Sequence, residues 1–291
     1  MTTTDRIITA TVEESLRVYV AQTRELVNEA RNIHQTTPVA TAALGRLLTA
    51  SAIMGVTLKN DTDLLTLTIK GNGPIKGVVA TADKSPNVRG YVFNNNVDIP
   101  KKENGKLDVS GAIGMGTLTV TKDLGLREPM NGQVALVTGE IAEDITYYYA
   151  TSEQTPSCVA LGVLVDVDYS VKQAGGFFIQ VLPNAKEEVV AKLEETLKGL
   201  ESVTTMLEKM SLEEMLELLF KGQSIKVYDT IEPKYKCSCS REKASKALVS
   251  IGKKELTEIV EEDEKANIHC HFCNTDYDFD EADLKKMIES F

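Results

Sequence analysis

Four cysteines near the C-terminus constrain this chain more than any other feature. Cys237-Ser238-Cys239 is followed, thirty residues later, by Cys270-His271-Phe272-Cys273, so four of the five cysteines fall in two close pairs. Two of the three histidines, His269 and His271, accompany the second pair. Thiolates are soft, strong ligands, and four of them complete a closed tetrahedral zinc shell. Paired spacing of this kind is a zinc signature, whereas buried cysteines without a ligand role have no reason to cluster. The sequence therefore predicts one Zn2+ per chain, held by Cys237, Cys239, Cys270 and Cys273, with His269 or His271 able to replace one sulfur. Residues 232–291 are too few to build a large core. Zinc would supply much of their folding free energy, about 10–16 kcal/mol for structural sites of this type. Four thiolates leave no coordination position for water, which argues against a hydrolytic metal.

Composition narrows the partners. A net charge of −11 opposes a nucleic-acid backbone, because that attraction needs Lys and Arg to displace counterions. Trp is absent and aromatics are 5% of the chain, so stacking platforms for bases are scarce. Residues 1–10 lack the basic start and apolar run of a secretory signal. The longest nearly uncharged helical stretch, Leu47 to Leu58, is too short to cross a bilayer. These features predict a cytoplasmic protein with no nucleic-acid or membrane partner, a setting that keeps thiols reduced.

Along the chain, Arg6 to Thr11 reads as a strand. Val12 to His34 is predicted as a helix, with Leu16, Val20, Leu26, Val27 and Ala30 on one face. His34 then falls at its end as a capping or surface residue. Thr37-Pro38 starts a second helix, Thr as cap and Pro in the first turn. From Asp63 the period changes to two: Leu65, Leu67 and Ile69 alternate with polar residues. Val78 to Ala82, Val88 to Phe93, Thr117 to Thr121 and Val134 to Val137 continue the strands. Gly139 to Ala150 reads as a helix, Thr151 to Ser157 as a polar turn, and Val159 to Val167 and Phe177 to Leu182 as strands. The turn lacks the GxSxG spacing of a nucleophile elbow. Gly71-Asn72-Gly73-Pro74 and the stretch Gly111 to Gly116 lack phosphate-loop spacing and read as turns. Cys158 stands alone, a buried thiol by default. A run of strands after two helices predicts an α+β fold for a core domain over residues 1–182.

Residues 183–231 read as a helical linker: Ala185 to Leu200, Val203 to Met210 and Leu212 to Lys221, the last with a Ser211/Glu214 capping box. Its Met- and Leu-rich faces suit a permanent cover for a sheet or an adaptable binding surface. Ile225 to Ile231 reads as a strand leading into the metal unit, residues 232–291. There Arg241 to Ile251 and Lys254 to Glu262 are helical, and Asp280 caps a last helix, Ala282 to Ser290.

Thiolate zinc sites are sensitive to oxidation. With Zn–S about 2.3 Å, tetrahedral neighbours lie about 3.8 Å apart, whereas a disulfide needs about 2.05 Å. Oxidising either pair must therefore break the site and remove the main stabiliser of a small unit. A purely structural zinc ribbon contains the same possibility unused. Lys234, Lys236, Arg241 and Lys243 favour thiolate at Cys237 and Cys239. A CxC disulfide closes a more strained ring than CxxC, so Cys270–Cys273 is predicted to form first. A zinc-ribbon nucleic-acid binder and a thiol oxidoreductase are the other readings. The first is opposed by charge, and the second by the loss of fold that oxidation should bring.

At these residues the sequence resembles the heat-shock protein of 33 kDa family, bacterial redox-switched chaperones. The resemblance runs over essentially the whole chain. It rests on the two cysteine pairs at this separation, on Tyr149 to Gly162 with its SEQTPS and LGV, on Gly71-Asn-Gly-Pro and on the LGRLLTA helix. It implies a non-enzymatic, ATP-independent holdase used in the stress response, inactive while reduced and zinc-bound. Oxidation, by the same resemblance, forms Cys237–Cys239 and Cys270–Cys273 disulfides, releases zinc and unfolds the metal unit and linker. The surface so exposed binds unfolding client proteins. The active form is implied to be a homodimer that passes clients to ATP-driven foldase chaperones.

Overall fold

Residues 4–291 are described by the structure, a computed structural model. They divide into two units, Met1–Lys236 and Cys237–Phe291. The first unit opens with a hairpin. β1 (Arg6–Val12) turns at Glu13 and Glu14, both with φ near +50°, into β2 (Leu16–Gln22). The helix expected from Val12 is thus confined to α1 (Arg24–His34). β2 is buried on both faces, with Leu16, Val18, Tyr19, Val20 and Ala21 all covered. A central strand of this kind loses the alternation that marks a half-exposed one, and its apolar residues then also satisfy a helical template. Asp5 accepts hydrogen bonds from the Glu25 and Leu26 N–H groups and so caps the true helix start.

α2 (Pro38–Gly55) begins at Thr37 and Pro38 as expected. It is apolar enough over 18 residues to meet the criterion for a membrane span, yet 89% of it is buried inside the protein. It is a core helix. It packs on β3 (Leu64–Gly71), β4 (Gly77–Asp83) and β5 (Asn87–Val92) on one side. α3 (Val109–Ile113), β6 (Gly116–Asp123) and β7 (Met130–Ala135) follow. α4 (Ala142–Thr151) leads through the polar turn to β8 (Ser157–Val165) and β9 (Val171–Val181), which cover the other side of α2. The central helix therefore lies between two sheets, and its burial all round explains its uniformly apolar sequence.

The two glycine-rich stretches are backbone contacts. Gly73 N–H donates to Ile113 O at 2.9 Å and Asn72 N–H to Met115 O at 2.9 Å. A Cβ on Gly71 would sit 2.0 Å from Ile113 O, and one on Gly116 would sit 1.9 Å from Lys70 O. Glycine is required there for close approach, and its amides are spent on protein rather than on phosphate.

α5 (Glu187–Lys198), α6 (Val203–Lys209) and α7 (Leu212–Leu219) lie on the face of the first sheet turned away from α2. The Ser211/Glu214 capping box is present at α7. β10 (Ile225–Ile231) does not lead away from the core. It pairs antiparallel with β1, giving the sheet order β10-β1-β2-β9-β8. β11 (Lys234–Tyr235) then pairs parallel with β5 in the second sheet, β11-β5-β4-β3-β6-β7. Tyr235 is buried, and its hydroxyl donates to Gly90 O at 2.9 Å and lies 3.0 Å from His34 Nε2. His34 is accordingly a buried, hydrogen-bonded residue rather than a surface cap. The tyrosine that buries it lies 201 positions away, beyond the reach of local sequence.

Candidate metal centre

In the second unit α8 (Arg241–Ser250) and α9 (Lys253–Glu262) precede a hairpin, β12 (Lys265–Cys270) and β13 (Thr275–Asp280), and α10 (Glu281–Glu289) closes the chain. Asp280 caps α10, as its sequence position predicts, by accepting from the Asp283 N–H. The apolar core is small: Ala244, Leu248, Leu256, Phe279, Leu284 and Met287 are its buried members. Arg241 stacks on Phe279 at 4.5 Å and ion-pairs with Asp283 at 2.6 Å. Beyond this core, cross-linking must come from the cysteines.

The fold brings the four predicted sulfurs together. Cys237, Cys239, Cys270 and Cys273 have Sγ atoms all within 4.8 Å of one another. Cys237 and Cys270 are 3.7 Å apart, and Cys239 and Cys273 are 3.3 Å apart. The first lies close to, and the second somewhat below, the value of about 3.8 Å expected for sulfurs sharing one tetrahedral zinc. The donor set thus fits a soft, closed four-sulfur metal site. Cys270 ends β12 and Cys273 closes the hairpin turn, with Cys273 N–H donating to Cys270 O. Cys237 and Cys239 immediately precede the N-cap of α8, where Ser240 caps the helix by accepting from the Lys243 N–H. His269 points elsewhere: its Nδ1 lies 2.9 Å from Asp276 Oδ1. Among the described residues the only group of three or more that could hold a metal ion is the four cysteines, and neither histidine belongs to it.

Three of the sulfurs also receive a hydrogen bond, and the fourth, Cys273, donates one. The Cys239 amide serves Cys237 and the Phe272 amide serves Cys270. Tyr277 Oη donates to Cys239 Sγ at 3.0 Å, and the Cys273 thiol donates to Thr275 Oγ1 at 3.2 Å. Thr275 and Tyr277 fall on one face of β13 because strand side chains alternate, which turns Asp276 away toward His269. As thiols Cys237, Cys239 and Cys270 hold their protons unequally. Burial raises Cys237 and Cys270 above the ordinary thiol value. Burial also acts to raise Cys239, but the bonds from Tyr277 and the neighbouring sulfurs outweigh it and bring it down to about 7. Tyr277 is in turn pushed up to about 12, chiefly by its bond to Cys239. Two of the four basic residues expected to activate the first pair are otherwise engaged: Lys243 Nζ donates to Ser238 O, and Arg241 to Asp278 O and Asp283. Sequence reasoning missed Thr275 and Tyr277. The available signal was their spacing, two and four residues past Cys273 on a strand.

Cys158 lies apart, half-buried against the cluster under α5–α7, with its thiol raised by burial. Ser157 Oγ donates to Thr155 O, a turn contact that offers no nucleophile.

Comparison with known proteins places this geometry. The family model described as Hsp33 protein matches residues 5–280. The chain belongs to the Hsp33 family. The 33 kDa chaperonin of Lachnoclostridium phytofermentans is 51% identical over 98% of each chain, and that of Clostridioides difficile is 52% identical over 94% of each. The crystal structure of the Thermotoga maritima 33 kDa chaperonin, a heat shock protein 33 homolog, superposes with a TM-score of 0.91 over 99% of both chains at 42% identity. The family's mixed α+β architecture is that of the present chain, and the four-cysteine cluster fits zinc binding and redox-sensitive disulfides.

Proposed function

We propose that this Hsp33-family chaperone is a redox-switched, ATP-independent holdase whose switch is the four-sulfur cluster. The observation that carries the reading is the convergence of all four Sγ atoms within 4.8 Å in a unit with only six buried apolar side chains. Cys237, Cys239, Cys270 and Cys273 would hold Zn2+, one per chain, which when bound fixes the four as thiolates and supplies most of the cross-linking the small core lacks. Oxidation of a pair uses two thiolates and one peroxide. The first sulfur attacks a peroxide oxygen, the O–O bond breaks and hydroxide leaves. The second sulfur then attacks the resulting sulfenic acid, expelling a second hydroxide and forming the S–S bond. A pair so joined has no thiolate left to donate, and the unit loses its tie.

We assign the disulfides to Cys237–Cys239 and Cys270–Cys273, the latter forming first. The functional division is core 1–182, linker 183–231 and switch 232–291. The linker's support is physical: Val203, Met206, Leu207, Leu212, Met215, Leu216, Leu219 and Phe220 bury themselves on a sheet face made by Ile8, Val18, Val20, Phe177 and Ile179. Release of α6 and α7 would expose that face to unfolding client proteins. Independence from ATP fits the glycine stretches, which are committed to backbone packing. The chaperone has no enzymatic turnover of its own, acts as a homodimer, and hands clients to ATP-driven foldases. A cytoplasmic setting fits, since it keeps the cysteines reduced, and the net charge of −11 keeps an exposed apolar face soluble.

The test measures zinc release together with light scattering from a thermally unfolding client enzyme, before and after peroxide. Release of about one zinc per chain, with protection by the oxidised form alone, is the expected result. Zinc loss without protection by either form refutes the switch and leaves a structural site.

A further inference from the structure

The cluster's environment assigns a role to a residue outside the four cysteines. Two kinds of hydrogen bond reach the sulfurs. Backbone amides serve the first cysteine of each pair, and these follow from the turn geometry of any CxC or CxxC arm. Side-chain hydroxyls of β13 meet the second, and these depend on residue choice: Tyr277 donates to Cys239, whereas Thr275 accepts from the Cys273 thiol. The Tyr277 contact is the shorter, 3.0 Å, and it crosses from β13 to the opposite arm of the cluster.

A hydrogen bond to a thiolate withdraws the lone pair that attacks an electrophile. Nucleophilicity, not only the thiolate fraction, sets the rate of sulfur oxidation. We propose that Tyr277 is a positioning residue that restrains Cys239: its hydroxyl, donating to Cys239 Sγ, slows attack of that sulfur on peroxide and so sets the oxidant threshold of the first arm. The proposal rests on the redox reading above. The electrons and atoms follow the step already written, two thiolates and one peroxide giving one disulfide and two hydroxides. Tyr277 changes the rate of the first attack and takes no proton or electron in it. Its neighbour Asp276 is the matched comparison, on the opposite face of the same strand and bonded to His269 rather than to sulfur.

The experiment compares the reduced, zinc-loaded full chain with Tyr277→Phe and Asp276→Asn, each first shown to retain one zinc per chain. Tyr277→Phe keeps the ring and deletes only the hydroxyl. Two rates are read at Cys239 by quenched peptide mapping: alkylation by iodoacetamide, which involves no redox chemistry, and disulfide formation in peroxide. Loss of one hydrogen bond to a charged sulfur should raise Cys239 alkylation and oxidation about tenfold in Tyr277→Phe. Asp276→Asn should leave both rates at the wild-type value. Unchanged alkylation in Tyr277→Phe overturns the proposal, as does equal acceleration in Asp276→Asn, which would mean a loosened strand rather than a lost hydroxyl. If Tyr277→Phe fails to hold zinc, 3-fluorotyrosine is installed at position 277, which keeps the hydroxyl and makes it a stronger donor. Slower Cys239 alkylation then supports hydroxyl restraint, and an unchanged rate overturns it. Faster alkylation with no peroxide-driven zinc release in any variant would sink the redox reading and leave the role of Tyr277 intact.

Discussion

If α6 and α7 are the gate of the chaperone, loosening them should activate it without oxidant. Met215 is the place to test this. It is fully buried on α7, within the cluster formed by Val18, Val20 and Phe177. α7 buries four side chains, Leu212, Met215, Leu216 and Leu219. At about 1.5–3 kcal/mol each they contribute about 6–12 kcal/mol, against about 8–16 kcal/mol for ordering eight backbone residues. The helix is held near balance, helped at its start by the Ser211/Glu214 capping box and the two Arg6–Glu213 hydrogen bonds of 2.6 and 2.7 Å. Met215→Ala should remove about 2–5 kcal/mol, enough to tip that balance while the sheets beneath remain folded. The assay is client light scattering with the reduced variant, its zinc content measured in parallel. We expect protection without peroxide from Met215→Ala, none from wild type, and wild-type behaviour from Met215→Leu, which preserves volume. A variant that loses the stated stability in a urea titration, keeps zinc and stays inert until oxidised would refute the gate.

Two further outcomes follow from the geometry. Burial alone would raise Glu140, but hydrogen bonds from Lys102 and Arg46 overcome it and hold the carboxyl down from the ordinary 4.5 to about 2. A carboxylate held low contributes stability that is complete above about pH 4.5 and lost as pH falls through 2, worth no more than about 2 kcal/mol at this half-buried rim after solvent screening. Glu140→Gln should therefore cost that much at pH 7 and progressively less in acid, read from urea midpoints across the pH range; a cost independent of pH would refute the assignment. Separately, chelating the metal from reduced protein should unfold Cys237–Phe291 while Met1–Lys236 keeps its own thermal transition. Limited proteolysis should then cut after Lys236 and within the linker helices while sparing the sheets of the core, and zinc should restore protection; cleavage spread through the core strands would count against an independently tied switch.

How much of this was visible in the sequence varied with range. The cysteine cluster was legible because the cysteines reach one another through local turns and a hairpin. So were β3 and β6, whose alternation survives because one face of each is only partly covered. β2 was misread because it is covered on both faces and because its hairpin turns on Glu13 and Glu14, residues that carry no turn signal. The burial of His34 depends on Tyr235, at the far end of the unit. Ile225–Ile231 was correctly seen as a strand, but its partner, β1, begins the chain, and no local pattern names a partner so distant.

The arrangement of the sulfurs adds a constraint that spacing alone did not. The two short contacts, 3.7 and 3.3 Å, run between the arms, Cys237 to Cys270 and Cys239 to Cys273, and not only within them. The two ways of pairing have opposite consequences. A disulfide within an arm closes a ring of a few residues, restrains the unfolded chain little and removes donors from the site. A disulfide between arms closes a loop of more than thirty residues, restrains the unfolded chain strongly, by about 3–4 kcal/mol, and replaces the metal tie with a covalent one. Only the first converts oxidation into unfolding. A switch built on this cluster must therefore keep Cys239 from reacting with Cys273 despite their proximity. On the restraint proposed above, the Tyr277 hydroxyl, which donates to Cys239 Sγ, would slow the sulfur whose union with Cys273 locks the unit shut.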